Sequence, residues 1–169
     1  MIKSYMKILL IAFGLFTIIS CGQNKTKKEM KWLTTETKNE GFPLYLRLPD
    51  YENIWSFKDK YSNLFCITHK LDKVKDNGLP ESDYNLSLID FDGDLADLFD
   101  NDKEGIIILI ETFGGARNYW YYISSKIDYK TKVDNIRKKY PSNKIETDFR
   151  ADLDWGFIKK YPVKLYDKK

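Results

Sequence analysis

The chain has 169 residues, 43% of them hydrophobic and 15% aromatic, with a formal charge of +3. That aromatic content excludes a disordered chain, and the length suits one ordinary domain with a sizeable core. The 28 basic residues are scattered and nearly balanced by 25 acidic ones, which excludes the concentrated positive field of a nucleic-acid binder.

Lys3 and Lys7 precede an apolar run from Ile8 to Ile19. A run of about a dozen residues is short for a permanent span and fits the core of a signal peptide. It ends in "IISCGQ", where small and aliphatic residues precede Cys21. This resembles the bacterial lipobox, and the resemblance implies cleavage after Ser20 and a diacylglycerol on Cys21, whose thiolate is the nucleophile. The expected organisation is a signal peptide over 1–20, a tether over 21–31 and a single domain over 32–169. Loss of residues 1–20 removes two lysines and lowers the formal charge from +3 to +1. Lys25, Lys27, Lys28 and Lys31 then follow the lipid and read as a solvated tether. The expected location is a bacterial envelope membrane, on the periplasmic side of the outer membrane.

Further along, "FPLYLRL" (Phe42–Leu48) alternates and predicts a strand paired with the "KWLTTET" segment before it. "NLFCITHKL" (Asn63–Leu71) predicts a second strand. Cys66 and His69 lie on it three residues apart, so they point to opposite faces and do not form a Cys–His pair. With Cys21 lipidated, Cys66 has no partner for a disulfide within the chain. Asn77-Gly78 and Pro80 break the chain, and a helix is predicted from about Glu81 to Asp100.

Within that helix, "IDFDGDLADLFDND" holds six aspartates in fourteen residues. A calcium loop of the EF type needs glycine at its sixth position and glutamate at its twelfth. Counted from Asp90, those positions are Leu95 and Asn101, so the loop fails. On a helical wheel Leu88, Phe91, Leu95, Leu98 and Phe99 share one arc, and Asp90, Asp94, Asp97 and Asn101 share the opposite one. Asp92 falls inside the apolar arc. A buried carboxylate needs a partner, so Asp92 either caps a new helix start before Gly93 or meets a basic or amide group.

"GIIILIETF" (Gly105–Phe113) is a continuous apolar run and predicts a central strand buried on both faces. Gly114-Gly115 supply a turn, and "RNYWYYIS" (Arg117–Ser124) returns as its hairpin partner. Asp128 caps a predicted helix with Tyr129, Val133, Ile136 and Tyr140 on one face, stopped by Pro141. Asn143–Arg150 predicts the last main strand, and "DLDWGFIKKYPVKLY" adds a short terminal element. From Asn63 onward the order is strand, helix, strand, strand, helix, strand. That is the split βαβ order of an α+β, ferredoxin-like antiparallel sheet with both helices on one face, here with an extra N-terminal strand pair.

"GFPLYLRL", "NGLP", "DGDL", "GIIILIETFGGARNYWYY" and "DLDWGF", in that order from about Trp32 to Pro162, resemble the bacterial family called domain of unknown function 695. The tail pattern of Asp152, Trp155 and Phe157 is also similar to the ribonuclease E inhibitor protein B family, small α+β domains that work by binding an enzyme. The chain departs from the latter in its lipid signal, which sets it outside the cytoplasm. Neither resemblance supplies a catalytic residue.

The sequence holds no G-x-S-x-G, no H-E-x-x-H and no phosphate-cradling glycine loop. No metal or cofactor is expected. A non-catalytic protein-binding module of the inhibitor, immunity or adaptor type is the expected function. Its candidate binding residues are Arg117, Trp120, Tyr122 and Trp155, with Tyr119 and Tyr121 beside them, because Arg, Tyr and Trp supply most interface hot spots. Asp92 is added for its unexplained place in the apolar arc. The alternative is a carboxylate-dependent hydrolase or a small-ligand-binding protein of the envelope.

Overall fold

Alternation at the start of the domain produces the expected hairpin. In the computed structural model, which describes residues 30–166, β1 (Trp32–Asn39) and β2 (Phe42–Pro49) pair antiparallel from Trp32↔Pro49 to Asn39↔Phe42. Glu40 and Gly41 turn the chain with φ of 52° and 85°, as a two-residue type I′ hairpin loop requires. Cys21, the signal-peptide segment and residues 21–29 of the tether lie outside the described residues. Met30, assigned to the tether by sequence, instead packs against the core, and Lys31 O accepts from Asp50 N at 2.9 Å.

After a 3-10 turn at Ile54–Phe57 come β3 (Asn63–Lys70), α1 (Ser82–Ser87), α2 (Ile89–Ala96), β4 (Gly105–Phe113) and β5 (Ala116–Ile123). They are followed by α3 (Tyr129–Lys139), β6 (Ile145–Ala151) and α4 (Gly156–Lys160). The six strands form one antiparallel sheet in the order β1-β2-β4-β5-β3-β6. The protein is thus α+β, as its element order predicts.

The single helix predicted over Glu81–Asp100 is two helices. Leu88, at φ −90° and ψ 0°, ends α1 and precedes α2, and the helix stops at Ala96. Leu88 at the bend and Phe91 and Leu95 of α2 are buried, and from α1 only the half-buried Tyr84 packs against the core. Asp92 caps nothing: its amide already bonds to Leu88 O at 2.8 Å. The α3 reading holds in detail, because Asp128 accepts from Thr131 N at 3.1 Å and Val133 and Ile136 are buried.

Both faces of the sheet are covered. On one, Phe65, Ile67, Ile107, Tyr119 and Tyr121 pack under the helices α1–α3. On the other, Leu46, Leu64, Ile106, Ile108 and Tyr122 pack under the 3-10 turn, α4 and residues 161–166. A bulge falls in β4 between Ile107 and Leu109, so Ile108 and Leu109 both reach the second core. There β2 has already left β4, since the two pair only over Tyr45–Arg47. Two phenols take over the ladder's work: Tyr51 donates to Ile107 O at 3.0 Å and Tyr166 to Ile108 O at 2.7 Å.

The loop after β3 clasps the β4–β5 turn. Gly115 N donates to Gly78 O at 2.9 Å, and Leu71 N donates to Gly115 O at 2.9 Å. Gly78 has φ +80°, and a Cβ there would sit 3.0 Å from Gly114 Cα. Gly93, in contrast, is helical and faces open space. In chemical denaturation, Gly78→Ala is expected to destabilise by about 1 kcal/mol or more. Gly93→Ala is expected to stabilise by about 0.5–1 kcal/mol.

Candidate functional site

The carboxylate in the apolar arc has found its partner. Arg117 Nη1 meets Asp92 Oδ2 at 2.5 Å, and the Tyr119 hydroxyl donates to Asp92 Oδ1. The rest of the guanidinium is also engaged: Nη2 donates to Asn85 Oδ1 at 2.6 Å and Nε to Thr112 Oγ1 at 3.1 Å. Arg47 of β2 stands 3.9 Å from Asp92 Oδ2 and lies over the Trp32 ring. Asn85 on α1 and Asp92 on α2 therefore grip one arginine of β5 from either side of the Leu88 bend. Burial, then the charge of Asp92, pushes the Tyr119 phenol well above its ordinary value, so it stays a neutral donor. Every strong group in this cluster is occupied by another. It acts as a fastener.

Asp94, read as part of the wet face, is also bound: Lys139 Nζ lies at 2.5 Å and the Tyr140 hydroxyl at 2.7 Å. These bonds hold its carboxyl below the usual range and tie α2 to the end of α3.

Of the aromatic residues proposed from sequence, Tyr122 and Trp155 have no exposed surface. This corrects their expected place on a binding face: the chain's own C-terminal segment covers them. Trp155 stacks flat on Tyr122 with centroids 4.1 Å apart, and its indole N–H donates to Tyr61 O at 2.6 Å. Its backbone is left-handed, with φ 54°, a conformation that costs a bulky residue energy and persists here because burial outweighs it. Asp152 completes the tail motif, accepting from Gly156 N, Phe157 N and the Tyr122 hydroxyl at 2.7, 3.0 and 2.5 Å. Burial alone would raise this carboxyl, but the three donors outweigh it and hold it low. Arg117, Tyr119 and Tyr121 are likewise interior.

Trp120 is different. It lines an open cleft of about 510 Å³ on the second face, together with Glu111, Arg150, Phe157, Lys160 and Tyr161. Phe157 stacks on Trp120 at 4.3 Å, and the Arg150 guanidinium lies 6.0 Å from its ring centre. Glu111 takes the Tyr161 hydroxyl on one oxygen and Asn118 Nδ2, at 2.9 Å, on the other. The Trp120 indole N–H is shielded and has no hydrogen-bond acceptor. Arg150 and Lys160 are exposed at the rim.

A model for a family of unknown function, DUF695, matches residues 31–161, well over half of the chain. The chain belongs to this family. Comparison with curated proteins and with solved structures returned no match. The motifs that carry the DUF695 resemblance have structural work to do in this chain. "NGLP" supplies the Gly78 clasp, "DGDL" supplies Asp92 and Asp94, and "DLDWGF" supplies the Asp152 bonds and the Trp155 plug. Cys66 and His69 face opposite sides, as strand geometry requires: Cys66 contacts Thr68, and His69 packs edge-on to Phe91 beneath the helices. Burial pushes the Cys66 thiol up to about 12, so it is inert. Among the described residues, no three His, Cys, Asp or Glu side chains converge on a metal-sized space.

Arg47, Asn85 and Thr112 around Asp92, and Arg150, Lys160 and Tyr161 at the cleft, were absent from the sequence-derived set. Asp92 in an apolar arc and Arg117 at the head of an aromatic strand did carry a readable signal.

Removing one partner of a buried pair leaves the other unpaired, so Asp92→Ala is expected to cost about 3 kcal/mol. Tyr119→Phe is expected to cost about 1 kcal/mol, and Arg47→Ala, a looser and more exposed contact, less than about 1 kcal/mol. Denaturant titration of the three variants checks the ranking. Acid should act in two steps. Burial first, then the nearby Arg117 charge, lowers the His69 imidazole in the folded state, so stability is full above about pH 6.5 and declines as pH falls below it. Asp94 and Asp152 are held low, so their stabilisation is full above about pH 4 and is lost as pH falls further. Stability measured against pH should show both steps, and His69→Gln should remove the upper one.

Proposed function

We propose that the protein is a non-catalytic protein-binding module of the cell envelope, held to the membrane by lipid on Cys21, and that the Trp120 cleft receives a carboxylate-bearing segment of its partner. One observation carries this reading: the carboxylates near the cleft are consumed by internal donors, whereas its cations face outward. Glu111 and Asp152 have both oxygens occupied. Arg150 is engaged by an exposed pair with Asp148, 3.0 Å away, which water and salt screen. Aromatic rings beside the Arg150 guanidinium, with the exposed Lys160 ammonium at the rim, offer stacking area and charge to an acidic chain. General acid–base chemistry needs two titratable groups free to exchange protons with a substrate, and neither acid here is free in that sense. An open cleft also suits a protein segment better than a small molecule, which pockets usually enclose over most of its surface.

For the fold we propose the ferredoxin-like arrangement. Its support is the order β4-β5-β3-β6, in which β5 lies between β3 and β4 and β3 lies between β5 and β6. Two interleaved split βαβ units have this form, with α1–α3 on one face. The lipid reading rests on residues 1–21 alone. The described domain begins at Met30, so about eight residues would separate it from Cys21, a reach of about 28 Å when extended. No helix among the described residues is long and apolar enough to cross a membrane.

Affinity capture from envelope extracts, followed by mass spectrometry, should enrich a partner over an unrelated lipoprotein control. Arg150→Glu with Lys160→Glu should abolish the enrichment without changing the melting temperature. Enrichment that survives this charge reversal would remove the cleft from the reading. Cys21→Ser should leave the precursor unprocessed and free of incorporated fatty acid, and normal processing of that variant would overturn the anchor.

A further inference from the structure

We infer that the outer edge of β1 pairs with the same edge of a second copy of this chain, antiparallel about a two-fold axis at Thr35. The inference is independent of the cleft and of the lipid. β1 runs eight residues in unbroken register with β2, carries no proline or bulge, and is mostly exposed. A long, regular edge of this kind is a template for another strand. The opposite edge, β6, is guarded by a row of charges, Glu146, Asp148 and Arg150, tied into ion pairs. The edge of β1 carries only Glu36 and Lys38.

The two-residue turn decides which groups face outward. Asn39 and Phe42 flank it and form the hydrogen-bonded pair, so alternate residues from Asn39 back to Leu33 bond to β2. The amides and carbonyls of Trp32, Thr34, Glu36 and Lys38 are left pointing away from the sheet. A two-fold axis at Thr35 sets Trp32 opposite Lys38 of the second copy and Thr34 opposite Glu36, and then repeats both pairs by symmetry. All four outward residues are used, giving about eight backbone hydrogen bonds. No like charges stand opposite, and a lysine faces an indole ring. Sliding one step toward the turn sets Glu36 against Glu36. Sliding one step the other way leaves Lys38 unpaired. The edge is therefore self-complementary in one register, as an isologous interface requires.

In that register the two Thr35 residues form a non-hydrogen-bonded pair with Cα atoms about 4.5 Å apart, within the span of a disulfide. The two Asn39 residues lie about 27 Å apart. The full chain, purified in detergent at high micromolar concentration and mildly oxidised, tests this directly. Thr35→Cys should give a covalent dimer well above the background of the wild-type chain, which already holds Cys21 and Cys66, whereas Asn39→Cys should not. Added to Thr35→Cys, Thr34→Glu sets acids opposite Glu36 and should lower the dimer yield several-fold, whereas Thr34→Lys should raise it. Equal yields from Thr35→Cys and Asn39→Cys, or a yield indifferent to the sign of the charge at residue 34, would overturn the pairing.

Discussion

β4 carries apolar side chains toward both faces, and neither face of the sheet can therefore be left to water. Ile107 and Ile110 belong to the core under the helices, and Ile106, Ile108 and Leu109 to the core on the other side. The helices between strands cover one side only. Among the described residues, the second side is closed by the 3-10 turn before β3 and by residues 152–166 after β6. This explains why a segment with weak periodicity holds a fully buried tryptophan in a strained backbone conformation, and why two tyrosines mend the ladder where the bulge opens it.

The helical side has a different problem, since α1 and α2 are short and bent: α1 buries no residue fully, and α2 only Phe91 and Leu95. Their attachment is electrostatic as well as apolar. Arg117 joins both helices to β5, and Asp94 joins α2 to α3. Desolvating a guanidinium is costly, and here that cost is met by a carboxylate, an amide and a hydroxyl placed around it, so the cluster fixes one helix position rather than many. Fixing the helices in turn shields His69 and sets the neutral state of Tyr119.

Much of this could be read from the sequence, and what could not has a physical cause. The strands were legible because alternation and continuous apolar runs report one-sided and two-sided burial. α3 was legible from its cap, its face and its proline. The break at Leu88 was not, because the apolar arc of the wheel continues through it and a single bridge-region residue leaves no mark on periodicity. Asp92 was flagged by its place in the arc, yet its partner lay across the sheet, where spacing gives no information. The aromatics of β5 carried the right alternation but an ambiguous face: Tyr122 and Trp155 look like binding residues until the tail that covers them is placed. Arg150, Lys160 and Tyr161 come together only after that tail has crossed the sheet.

The Trp155 plug also gives the molecule a temporal order. Its indole bonds to Tyr61, ninety-four residues earlier, and Tyr166 reaches back 117 residues to Pro49. Contacts of such separation close late and slowly, and these are made by a segment that is synthesised after β6. Until it arrives, the face bearing Tyr122, Leu64 and Ile106 stands open while the helical face can already be packed. A nascent or truncated chain is thus half a protein in a specific sense: one core finished, the other a bare apolar sheet for a chaperone to hold.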